Sequence, residues 1–310
     1  MRNFFLFILL AVFFSSCERF YDQVVEIDPP EYEKALVFHQ FMSQKDSSVR
    51  ITLSRTYGIL ETVPTDARWL ITGATVTWWK NGQKVLDLLP RADSAFIYEA
   101  RLPEGIQPGS TYQIMISHPD YPTVTSTQQM PAAPGEITGV HLDKDAGTDG
   151  YGSNFSELEF TVKDPAGAEN YYEIVMSRIY EVPVYIGQDP QGNFIYDTVA
   201  YRQNVYFDET FDPNIIFGFR SSVLLTDQFF DGQQYKFKGR FYENYYEGDS
   251  IPYTLTIRHV TRDYYYWSKS YQAKNNDDGN PFVEPVSVFN NLEHGLGLFG
   301  LYFEQDFEVE

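Results

Sequence analysis

The 310-residue chain has a single cysteine, Cys17. It can form no disulfide within itself and no cysteine-ligated metal centre, so its stability has to come from buried apolar surface and backbone hydrogen bonds. Basic residues are scarce: 23 Lys and Arg stand against 43 Asp and Glu, a formal charge of -20. That balance argues against nucleic-acid binding, which needs a basic footprint, and against adhesion to anionic lipid through a polybasic patch. Long apolar runs are missing too, since the run from Phe4 to Phe14 falls short of the roughly 20 residues of a spanning helix. The five histidines, His39, His118, His141, His259 and His294, show no metal-ligand spacing. A G-x-S-x-G nucleophile elbow is absent as well.

Aromatic residues, by contrast, are abundant: 17% of the chain, with 24 Tyr and 25 Phe. They favour strands, and Tyr is common on surfaces that bind something. The opening, MRNFFLFILLAVFFSSC, has one basic residue, an apolar run, Ser15 and Ser16, then Cys17. This is the pattern of a secretory signal with a small-residue cleavage site. Because it ends at the lone cysteine, it resembles a bacterial lipoprotein signal, in which cleavage exposes the cysteine for lipid attachment. Phe14 stands where that pattern usually has Leu, a looser form similar to that of Bacteroidota lipoproteins. Residues 1–17 are therefore expected to be the signal, with Cys17 as the lipidation site.

Residues 18–33 read as a tether, stiffened by Pro29-Pro30. From Lys34 onward the pattern is short strands and turns. Candidate strands are Ala35–Phe41, Arg50–Ser54, Ala74–Trp79, Lys84–Leu89, Ser94–Ala100 and Thr111–Ser117, with Asn81-Gly82 as a hairpin turn. This predicts an Ig-like or fibronectin-like β-sandwich over 34–130. The Pro- and Gly-rich stretch 131–135 reads as a linker. A larger β-rich domain is expected over 136–310, with strands at Glu157–Lys163, Gln233–Tyr242 and Tyr253–His259. Tyr171–Val182 and Phe194–Phe207 should pair through a turn at Asp189–Asn193. One short helix interrupts the β rhythm: Tyr264, Trp267 and Tyr271 recur at helical spacing after Thr261, a candidate N-cap, and Asn275-Asn276 should end it. Its aromatic stripe is expected to pack on a sheet.

Most motifs dissolve on inspection. Gly295 to Gly300 matches G-x-G-x-x-G, but too little chain follows for a βαβ unit. The glycines are better explained by close backbone packing. His141–Gly150 has an acidic spacing that hints at calcium, yet Gly147 and Thr148 occupy the wrong positions and the bidentate Glu is missing. A solvated loop is expected there, and a turn at Asn275–Asn280. Asp93-Ser94-Ala95, Asp197-Thr198-Val199 and Asp249-Ser250-Ile251 resemble an O-glycosylation motif of exported Bacteroidota proteins. No metal or cofactor is expected.

The tail carries the most specific resemblance. Asn280-Pro281-Phe282-Val283-Glu284-Pro285, Val288–Leu292 and Gly295–Gly300, with the aromatic helix upstream, resemble the C-terminal signature of the domain of unknown function 4249 family. That resemblance implies a Bacteroidota outer-membrane lipoprotein and a partnership with a TonB-dependent transporter; it carries over no catalytic residues. The expectation is a non-enzymatic protein held at the outer membrane through its lipid anchor, with no nucleic-acid partner. One alternative is a glycan-binding lipoprotein, with Trp79 as its candidate stacking residue because it lies on the face opposite Val76 and Trp78. The other is a hydrolase whose carboxylate pair is not recognisable among the acidic residues.

Overall fold

The computed structural model describes residues 32–58, 61, 70–208, 215–242, 252–276 and 286–309. Met1–Glu33 with Tyr57–Val63 make one small unit; Lys34–Thr56 with Pro64–Glu310 make the other, which contains every element below. Within the small unit, the Tyr32 hydroxyl donates to Glu61 Oε2 at 2.7 Å.

The fold is mainly β. In chain order come β1 (Leu36–Ser43), β2 (Ser48–Thr52), β3 (Ser54–Arg55), β4 (Thr75–Lys80), β5 (Gln83–Arg91), β6 (Ser94–Arg101), β7 (Thr111–His118) and β8 (Tyr121–Gln129). After the Pro-rich linker follow β9 (Ile137–Thr148), β10 (Asn154–Lys163), β11 (Tyr171–Gln188), β12 (Phe194–Val205), β13 (Ile216–Phe217), β14 (Val223–Thr226), β15 (Gln234–Phe241) and β16 (Tyr253–Val260). The helix α1 (Arg262–Asn275) and the final strand β17 (Gly295–Val309) complete the unit.

Local chemistry explains many of these elements. Asn81 and Gly82 both adopt positive φ, 50° and 77°, which a two-residue turn between β4 and β5 requires. Thr261 caps α1 by accepting from the Tyr264 N–H, Asp263 lies in the first turn and Lys274 in the last, matching the helix dipole. Tyr264 and Trp267 are buried and Tyr271 packs beside them, so the aromatic stripe does face the sheet. The stretch expected as a solvated loop, His141–Gly150, instead lies mostly inside β9, paired with β10. Its residues read as loop because Leu142 is the one fully buried side chain in this edge strand.

Three sheets build the unit. A six-stranded sheet has the order β2-β6-β5-β4-β7-β8, and a three-stranded sheet the order β15-β10-β9. Between them in connectivity lies an eight-stranded sheet, β13-β14-β11-β16-β17-β1-β3, with β12 paired to β11. β1 and β17 are parallel neighbours, Leu36 opposite Gly295 and Met42 opposite Leu301, so strands from both sides of the 131–135 linker share one sheet.

β17 serves both ends of that sheet. Phe299 and Leu301 join the core of the six-stranded sheet, where Phe299 meets Trp78 edge-on at 5.7 Å. Further along the same face, Phe307 and Val309 belong to the core beneath the three-stranded sheet, with Phe160, Tyr172, Ile174 and Phe237. On the opposite face, Leu298 and Tyr302 pack against α1. The Asn-Asn and glycine motif makes this possible. The Asn290 side chain accepts from Gly297 N, and the Asn291 amide bonds both N and O of Phe299, each at 2.9 Å. A Cβ on Gly297, at φ 130°, would sit 1.8 Å from the Phe38 carbonyl oxygen of β1.

Candidate functional site

Two features of the large sheet stand out: a ribbon at its edge and a pocket on its helix-bearing face. The ribbon begins where β16 stops. Arg178 is the last β11 residue that β16 reaches, opposite Tyr253; beyond it β11 pairs with β12 alone among the described residues. The turn is well made, since the Asp189 carboxylate accepts from the N–H groups of Gln191 and Asn193 and from the Asn193 amide. These bonds, the Asn193 amide foremost, hold the Asp189 carboxyl below its ordinary value. A two-stranded ribbon has no third layer to cover it. Tyr185, Ile186, Phe194 and Tyr196 are 53–63% exposed, and Ile179, Ile195, Val199 and Tyr201 are exposed as well. Aromatic contacts run along it, Tyr185 with Phe194 at 5.6 Å and Tyr180 stacked on Tyr201 at 5.9 Å. Register puts Tyr185, Phe194 and Tyr196 on one face and Val199 and Tyr201 on the other, so both faces carry clustered apolar surface, which marks an interaction site more often than a stray residue does.

The pocket, about 390 Å³, lies at the ribbon's base, where Ser177, Arg202 and Asn204 line it. Its floor is set by register. Glu173 of β11 lies opposite Arg258 of β16, and Arg258 opposite Glu304 of β17, so three strands place one charged row on one face. Glu173 is 1% exposed and fully satisfied: Ser222 Oγ donates to Oε1 at 2.6 Å, while Arg258 Nη1 and the Tyr264 hydroxyl donate to Oε2 at 2.8 and 2.7 Å. A buried carboxylate tolerates such a place only with this many partners. Arg258 also reaches Glu304 at 3.2 Å and stacks on the Tyr302 ring. Burial alone would lower the Arg258 pKa, but the Glu173 charge reverses this and holds it above its ordinary value. Burial, with the Glu173 charge second, pushes the Tyr264 hydroxyl well up, so it remains a donor. Burial likewise raises Tyr302 to about 12.

The pocket's other cations come from separate elements. Arg202 lies on β12 and gives one hydrogen bond to Ser177 Oγ at 3.2 Å. Arg220 sits on a 3-10 turn, Phe219–Ser221, that leans on α1 through the Phe219 N–H to Ser268 Oγ bond of 2.7 Å. Arg220 and Ser221 both have φ 56°, a left-handed conformation that costs each about 1–2 kcal/mol.

The residues singled out by sequence fare differently. Cys17 lies outside the described residues. Trp79 is half-buried on β4, and its indole N–H donates to Thr77 Oγ1 at 2.9 Å. His259 is buried against Tyr172 and bonds the Ala132 carbonyl. Thr198 is exposed on the ribbon, Ser94 is half-buried, and Asp249-Ser250-Ile251 and residues 277–280 lie outside the described residues. Three carboxylates that the sequence did not pick out, Asp164, Asp227 and Asp231, bring oxygens within 4.8 Å of one another. Each already serves the backbone: Asp164 accepts from Tyr172 and Gly232 N, Asp227 from Asn170, and Asp231 from Gly167 N. Burial, supported by the Asp164 charge, raises the Asp227 pKa. They staple loops, and none of them lines the pocket.

No curated protein matches the sequence. A family model described as a domain of unknown function, DUF4249, matches residues 22–308. That span takes in both sides of the linker, the ribbon, the pocket and the glycine-bearing last strand, and the chain belongs to this family.

Proposed function

We propose that this chain is a lipid-anchored outer-membrane protein that works by binding, as an accessory partner of a TonB-dependent transporter in nutrient uptake. The signal-like opening supports the anchor at Cys17, and the formal charge of -20 suits a domain held off the membrane surface. The transporter partnership rests on the family's implied company. The observation that carries a binding role is the ribbon: its aromatic side chains stand open to solvent on a well-capped hairpin, where burial by a partner is the favourable outcome.

The test is photocrosslinking in intact cells from a photoreactive phenylalanine analogue at Tyr196. The expected product is a covalent adduct with an outer-membrane barrel protein. In Cys17→Ala the chain should leave the membrane fraction and the adduct should vanish. A wild-type chain that fractionates with the outer membrane but yields no barrel adduct would overturn the partnership. Membrane retention of Cys17→Ala would overturn the anchor.

A further inference from the structure

The pocket under the ribbon runs against the charge of the whole molecule. In a chain of formal charge -20, its walls carry three arginines, Arg202, Arg220 and Arg258, and one acid, Glu173. Arg258 is held between Glu173 and Glu304, and Glu173 has its lone pairs committed to Ser222, Arg258 and Tyr264. Two cations remain. Arg202 is bonded to the neutral Ser177, with Asp306 as a more distant electrostatic neighbour. Arg220 lies over the Phe219 ring, 4.9 Å from its centre, and has no carboxylate partner among the described residues. The rest of the lining divides into apolar surface from Phe41, Val175 and Phe219 and neutral polar groups from Asn204 and Thr256.

Arginine forks match a carboxylate geometrically as well as electrostatically. A pocket of about 390 Å³ is at the small end of the range for organic ligands. The Arg220 backbone is held in a left-handed conformation, with its turn pinned to α1 by Ser268 and to Glu173 by Ser222. That clamp fixes the backbone from which Arg220 contributes to the pocket lining. We propose that this pocket is a binding site for a small organic acid, its carboxylate received by Arg202 and Arg220 and its apolar body lying against Phe219 and Val175. Such a ligand touches the ribbon's base through Arg202 and the sheet through Val175. The site is separate from the ribbon's apolar tip and stands or falls independently of a transporter partner.

Titration calorimetry on the purified full chain in detergent, at low ionic strength, decides the matter. Benzoate and phenylacetate are the probes, with benzyl alcohol and inorganic phosphate as the neutral and non-organic controls. The two carboxylates should bind at least tenfold more tightly than either control, and added salt should weaken them. Arg202→Gln and Arg220→Gln should each cost roughly tenfold in affinity, and Arg220→Lys should recover part of that loss. Both guanidiniums are exposed, so unchanged melting temperatures should accompany the loss. Equal binding of benzyl alcohol or of phosphate would overturn the assignment, as would undiminished benzoate affinity in the Arg202→Gln/Arg220→Gln double variant. Absence of benzoate and phenylacetate binding up to about 10 mM would do the same.

Discussion

The two halves of β11 obey the same alternation and live in different worlds. Tyr171–Arg178 lies between β16 on one side and β14 and then β12 on the other; it buries Tyr172, Ile174 and Met176 on one face and Glu173 and Ser177 on the other. Past Arg178, the same strand, paired with β12 alone among the described residues, leaves Ile179, Tyr185 and Ile186 open. Residue type does not separate them, since both halves hold Tyr, Ile, Val and Glu. What separates them is how many layers the chain stacks above each. A strand with neighbours on both edges and a sheet beneath becomes core; one with a single neighbour becomes surface.

The sharpest way to break the comparison is a matched pair of substitutions in one strand. Glu173→Ala removes the carboxylate that holds Arg258, Tyr264 and Ser222, and should destabilise the fold by about 3–5 kcal/mol. Glu181→Ala, on the exposed half, should change stability by less than about 0.5 kcal/mol. Urea denaturation of the two variants measures both, and similar values would show that the halves are not distinct.

A smaller effect comes from pH. Burial lowers the His259 pKa below its ordinary 6.5. Below pH 6.5 the unfolded chain takes up a proton that the folded chain refuses, so stability is full above 6.5 and declines as the pH falls toward the folded value. Denaturation midpoints at about pH 7.5 and about pH 5.5 should differ; burial lowers His39 in the same direction, so His259→Gln should flatten part of that difference. The ribbon stretch, residues 179–202, holds no histidine, so it should contribute nothing to the slope.

Even the largest deletion should change stability only modestly. Tyr180 pairs with Tyr201, so joining these residues through Asn-Gly removes the ribbon tip without disturbing β16. The remaining body should melt within a few degrees of the full chain, roughly a 1 kcal/mol change at most. A collapse of the melting transition would mean that the ribbon supports the body after all.

Much of the fold could be read from single stretches of sequence. Asn81-Gly82 announces its turn, Thr261 its helix, and the alternation of Leu158, Phe160 and Val162 the buried face of β10. β9 was illegible because an edge strand with little to bury carries the acids and glycines of a loop. Pro183 was the one local sign that the far half of β11 has an open edge, since proline is poorly tolerated between two paired strands. The pocket left no sign at all. Glu173, Arg258 and Glu304 are far apart in the chain, and only register across β11, β16 and β17 assembles them.

β17 also has a consequence in time. Leu36, near the start of the folded unit, pairs with Gly295, and the last 15-residue strand completes cores on both sides of the linker. Contacts this distant in sequence form slowly, because their loops must close before any burial rewards them. A chain made N-terminus first therefore carries β1 without its long neighbour, and two cores ajar, until β17 emerges. β17 acts as a latch, and a synthesis that stops short of it leaves a length of aromatic-rich chain for proteases to find.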